Sequence, residues 1–234
     1  MMYMPILFVA LIVLMFVFQR EMRTAVRSAF SNLETIEVDK CGYKVLPDYD
    51  NKKGAAEILH RVDKNITTLI TYMQEKYTPL VLETMEPKKK RLYEQIVRRM
   101  ETTYKPSSLE ETVPDTPKVD VSYNISKGEV LALCLRDYKT HEFHQDNEII
   151  FVTLHELAHS LNCDESSYQC GQESYGHTAL FWFIFKVLLE NAVECGIYSK
   201  RNYRSKSVNY CSMPITYSPL YDVSLKDSEF FSNR

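Results

Sequence analysis

Among the six cysteines of this 234-residue chain no two are spaced as CxxC, so a structural zinc ribbon has no support. Basic charge is not in excess: 28 Lys and Arg stand against 31 Asp and Glu, a net charge of −3 with a pI near 6.1. The chain as a whole therefore has no electrostatic reason to bind nucleic acid. Internal repeats and low-complexity tracts are missing, which excludes a repeat architecture. Charge is missing altogether from Met1 to Phe18. At about 1.5 Å per residue that run reaches about 27 Å, enough to cross a bilayer core. No basic stretch precedes it and Val17-Phe18-Gln19-Arg20 offers no small-residue cleavage site, which argues against a cleaved signal peptide. Arg20, Arg23 and Arg27 against Glu21 place the bulk of the chain on the cytosolic side. The expectation is a single-pass membrane protein with a lipid-embedded anchor over residues 1–19, its C-terminal domain cytosolic, in a virion or a host endomembrane.

Histidine is scarce, six residues in all, yet two of them stand four apart in Thr153-Leu154-His155-Glu156-Leu157-Ala158-His159-Ser160. On a helix this spacing puts His155 and His159 on one face, where each offers a ring nitrogen to one tetrahedral zinc. Glu156, directly after the first histidine, is placed to act as general base toward a water that the metal acidifies. Asp146-Asn147 is a candidate N-cap, Glu148 falls in the first turn, and Ile149 to Leu161 is nearly all apolar, so the helix is expected to be buried. Buried neutral histidines need a partner, and a metal supplies one. A third protein ligand is required. His177 follows a glycine at the start of another helical run and is the preferred candidate; Glu190, on the following helix, and Glu173 are alternatives.

The remaining chain divides by pattern. Residues 20–54 read as a connector. Ala55, Ile58, Leu59, Val62, Ile66, Leu69, Ile70, Met73 and Tyr77 form a helical stripe that opens a helical region over 55–105. A second amphipathic helix, Pro87 to Thr103, turns Leu92, Ile96, Val97 and Met100 inward; its Lys88-Lys89-Lys90-Arg91 run reads as a solvated face, with contact to anionic lipid as the alternative. Residues 106–118, with three prolines, read as a loop. Val119 to Tyr123 and Glu129 to Leu135 are expected as strands of a hairpin. Thr178 to Glu194 is an apolar run too short to span a membrane and is expected as a core helix bracing the first one. Cys134 and Cys195 read as inert core residues; Cys163 and Cys170 could pair in an oxidising compartment, although a cytosolic domain keeps thiols free. His141 and His144, on the loop from Lys139 to Asp146, read as surface residues. Tyr168 and Tyr175 are read as packing or surface side chains rather than catalytic ones.

Several runs carry a resemblance. Lys127-Gly128-Glu129 leads into Leu131-Ala132-Leu133-Cys134-Leu135-Arg136-Asp137; the zinc-hydrolase pattern follows; Gly176-His177 precedes Phe181-Trp182; and Val208-Asn209-Tyr210-Cys211-Ser212-Met213-Pro214-Ile215-Thr216 closes the stretch. From about Val119 to Tyr221 the chain resembles the WLM family of SprT-like zinc metallopeptidases, in the version found in large DNA viruses. The resemblance implies an α+β, zincin-like core over residues 119–222: a small antiparallel sheet packed on the HExxH helix and a following core helix, with the N-terminal transmembrane helix and a helical appendage outside it and a tail at 223–234. It also implies Zn2+ held by His155, His159 and His177, with Glu156 as general base, and a protein or peptide as substrate. Against the cellular relatives, the insertion of Asn162 to Gly176 and the membrane anchor are departures. A catalytically silent, zinc-stabilised membrane or virion protein is the rival expectation. Repair of DNA–protein crosslinks rests on family likeness alone.

Overall fold

The computed structural model describes residues 33–114, 122–125, 130–162 and 177–225. Glu34–Val38 (β1) and Cys41–Val45 (β2) form an antiparallel hairpin that turns through Asp39 and Lys40, both in the left-handed backbone region, as a two-residue turn between twisted strands requires. Lys52–Lys76 (α1) follows. Its N-cap, Asn51, accepts a hydrogen bond from the Gly54 N–H at 3.1 Å, and the expected apolar stripe is its buried face, with Ile70 at the margin. A short helix, Pro79–Leu82 (α2), leads to Pro87–Thr103 (α3), which buries Tyr93, Ile96 and Met100. Leu109–Thr112 (β3), Tyr123–Ile125 (β4) and Val130–Cys134 (β5) complete a five-stranded sheet in the order β1-β2-β3-β5-β4. Asp146–Leu161 (α4) and Ala179–Glu194 (α5) pack against each other. Val208–Tyr210 (β6) and Met213–Ile215 (β7) form a separate two-stranded sheet.

This mixed α+β architecture departs from the sequence-based expectation in several places. Residues 34–45 are not connector but a hairpin in the main sheet. Residues 109–112 are not loop but the central strand. Leu-Glu-Glu-Thr hides as a strand because two of its four residues are carboxylates, and each finds a partner. Glu110 pairs with Lys44. Glu111, 1 % exposed, accepts the Nε–H of Arg136 at 2.7 Å and the backbone N–H of Leu46 at 2.9 Å. The sheet, finally, is mixed rather than antiparallel. β2/β3 and β3/β5 run parallel, while β1/β2 and β4/β5 are antiparallel; the helices between β2 and β3 supply the long crossover that parallel neighbours need.

The β4/β5 pairing sets Tyr123 opposite Ala132 and Ile125 opposite Val130, so Asn124 and Ile125, expected in the connection, belong to the strand. The helical region is no appendage either. Leu59 and Leu69 of α1, Leu109 and Leu133 of the sheet, Leu154 of α4 and Phe185 of α5 belong to one hydrophobic core. A polar chain runs through it: Asp63 accepts the hydroxyls of Tyr43 at 2.8 Å and Tyr104 at 2.5 Å and the N–H of Ser107 at 3.0 Å. Among the described residues no helix is long and apolar enough to cross a membrane. The expected anchor, residues 1–19, lies outside them, as do Cys163, Cys170, Tyr168, Glu173, Tyr175 and most of the tail.

Candidate metal centre

Helix α4 carries His155, Glu156 and His159 on consecutive turns, and its apolar residues bury it between the sheet and α5. Its first turn is anchored to two other parts of the chain, α1 and the loop at 199–201. Asp146 accepts from Arg61 of α1 at 2.9 Å, Asn147 pairs with the backbone of Ser199, and buried Glu148 pairs with Arg201. Gln145, rather than Asp146 or Asn147, occupies the N-cap, since those side chains serve these long-range contacts.

At the far end the cap of one helix is tied to the cap of the next. Asn162, the C-cap of α4, donates its amide to the Thr178 hydroxyl at 3.3 Å. Thr178 is the N-cap of α5 and accepts the N–H of Phe181 at 3.1 Å. This link sets His177, adjacent to Thr178, against the last turn of α4. The Nε2 atom of His155 then lies 3.2 Å from Nε2 of His159 and 3.1 Å from Nε2 of His177.

Three imidazole nitrogens this close fit a metal better than they fit one another. Each neutral ring has one N–H to give, and a triangle of Nε2 atoms leaves lone pairs facing inward. Ligands at about 2.0–2.1 Å in tetrahedral geometry stand about 3.3 Å apart, close to the spacing seen. Burial, then the neighbouring His159 and His177, push the pKa of His155 down to about 3, so the ring stays neutral, the form that ligates. Phe181 packs within 4.3 Å of the His159 ring, Phe185 within 5.3 Å of His155, and Trp182 within 5.1 Å of His177. The aromatic mass of α5 thus keeps one side of the site apolar. Glu190, the alternative third ligand, is exposed on α5 and does not belong to this group. Glu156 is half-buried beside His155. Its charge reaches the Tyr210 phenol, whose pKa is raised chiefly by burial.

A second cluster was not anticipated. Cys134, His144 and Cys211 bring their ligand atoms together, but the two sulfurs are joined as a disulfide. Cys134 is therefore not an inert core thiol. The sequence could not announce the pairing, because the two cysteines are 77 residues apart and meet only when β6 folds back onto the end of β5. His144 is likewise no surface residue: its ring stacks on Tyr210 with centroids 4.6 Å apart. His141 is exposed, as expected.

Comparison with known proteins adds the following. The WLM domain profile matches residues 39–168, so the family's sequence begins far upstream of the expected 119. An uncharacterized protein of Acanthamoeba polyphaga mimivirus is 32% identical over 165 residues, covering 70% of this chain and 73% of that protein. An uncharacterized protein of Invertebrate iridescent virus 6 is 40% identical over 92 residues, 38% of this chain and 44% of that one. One from Invertebrate iridescent virus 3 is 37% identical over 92 residues, 39% and 50% respectively. The matched stretch thus spans half or less of the two iridescent virus proteins. No solved structure matches the chain.

Proposed function

Since this chain belongs to the WLM domain family, with relatives in mimivirus and iridescent viruses, we propose that it is a zinc-dependent metallopeptidase with a zincin-like core. The observation that carries the reading is the convergence of the His155, His159 and His177 Nε2 atoms; Glu156 follows His155 directly on the same helix. His155, His159 and His177 hold the ion. Bound there, zinc supplies a Lewis acid that polarises a carbonyl and acidifies water to a pKa of about 7. Glu156 takes the proton of the attacking water and returns it to the leaving amine as the peptide bond breaks. Among the described residues strand β4 ends the sheet, and it lies against α4, so a peptide is held there as one more strand, with backbone pairing giving affinity and little sequence preference. Residues 1–19 anchor the domain in a membrane, and the arginines after them orient it to the cytosol.

Glu156→Gln separates this reading from the silent structural protein. The variant is expected to keep one zinc per chain while hydrolysis of a denatured protein substrate falls by roughly 100-fold or more. Equal cleavage by the variant, or zinc binding with no cleavage by the unaltered chain, would sink it. Protease protection of a C-terminal tag tests the orientation.

A further inference from the structure

The β6–β7 hairpin forms its own sheet, and among the described residues no strand pairing joins it to the main one. Other contacts hold it. The disulfide ties Cys211, in the hairpin turn, to Cys134 at the end of β5. The Cys211 N–H donates to Nε2 of His144 at 2.8 Å, and the Tyr210 hydroxyl donates to the Cys134 carbonyl at 2.5 Å. His144 sits in the loop that feeds α4, and burial lowers its pKa, which keeps the ring a neutral acceptor. Cys211 takes a left-handed backbone with φ 54°, as a two-residue turn between Tyr210 and Met213 requires. The segment that leaves this hairpin touches the wall of the metal centre. Tyr210 lies within reach of the Glu156 charge, and just beyond β7 the ring of Tyr217 packs on Trp182, centroids 4.8 Å apart, while Trp182 faces His177.

We propose that the Cys134–Cys211 disulfide is a redox-controlled clamp on this wall, closed when oxidised and released when reduced. The clamp rests on the metallopeptidase reading for its effect on substrate but not for its existence. To open it, a dithiol gives two electrons and two protons to the S–S bond, leaving two cysteine thiols, and is itself oxidised to a disulfide. Freed of the bond, the hairpin is left with its His144 and Tyr210 hydrogen bonds to the rest of the domain, those contacts loosen, and the segment leading to Tyr217, against Trp182, becomes movable. A cytosolic domain would meet such reductants, and an oxidising surrounding would close the clamp.

The test uses the full-length, zinc-loaded chain in detergent, before and after a phosphine reductant; the phosphine takes oxygen from water and becomes its oxide, and the water protons complete the two thiols. Alkylation of the untreated chain should leave Cys134 and Cys211 unmodified. Amide exchange over residues 206–217 should speed up by roughly tenfold or more on reduction while the middle of α1 stays protected. The double variant C134S/C211S should exchange fast from the outset and ignore the reductant, and with a peptide substrate reduction should raise KM with zinc content unchanged. Ready alkylation of both thiols in the untreated folded chain, unchanged exchange after reduction, or a second zinc held by the two thiols with His144 would each overturn the clamp. Absence of hydrolysis in both states would remove the peptidase reading and leave the clamp to be judged on exchange alone.

Discussion

His155 is the most constrained side chain of the candidate centre, since α4 buries it and two further imidazoles face it. Its pKa in the fold, about 3, lies below the ordinary 6.5, so as pH falls the unfolded chain takes up the proton first. The metal-free chain should hold its full stability above about pH 6.5 and lose it steadily from there toward pH 3. Urea midpoints across that range measure this, and a flat profile from pH 7 to 4 would contradict it. Metal competes with protons on the folded ring, so as far as His155 is concerned zinc affinity should fall only toward the lower end of that window, near pH 3. At this scale the sequence was informative where chemistry fixes spacing: His155, Glu156 and His159 fall within five consecutive positions of one helix, and their mutual placement needs nothing else to be known. Asp63 and His60 show the opposite. They sit on the buried face of α1, and nothing in a helical stripe says that the hydroxyls of Tyr43 and Tyr104 will arrive to satisfy that carboxylate.

At the scale of elements, the centre depends on how α4 ends and α5 begins. Thr178 caps α5 and also accepts the Asn162 amide that closes α4. Thr178→Ala should cost about 1 kcal/mol of stability, a typical value for an N-cap, and should weaken zinc binding because His177 loses its fixed relation to α4. A melting curve and a zinc titration on the same sample check both; wild-type zinc affinity in the variant would show that His177 is positioned by other contacts. Helices α1, α3, α4 and α5 were legible because each runs long enough for the 3.6-residue period to show. Strands β1, β2 and β3 were not. They are four or five residues long, and the charges on β3 mimic a loop until Lys44 and Arg136 are placed beside them.

At the scale of the molecule, Arg136 and Glu111 join the sheet to the loop ahead of α4. The pair is almost fully buried, and the guanidinium lies 4.3 Å from the centre of the Phe143 ring. Removing one partner strands the other charge, so Glu111→Leu or Arg136→Met alone should destabilise by about 3–5 kcal/mol, whereas the double replacement should recover most of the loss. Chemical denaturation of the three variants tests this, and additive losses in the double variant would count against it.

What the sequence determined by itself was local. The zinc-hydrolase spacing, the apolar faces of the long helices and the uncharged N-terminal run depend on residues near one another in the chain, where bond geometry sets who can meet. Tertiary structure decided the rest. It placed His177 against His155, made a charged tetrapeptide the centre of the sheet, and joined Cys134 to Cys211 across 77 residues. Such contacts follow from which surfaces bury together, and no pattern within a short stretch of chain encodes them.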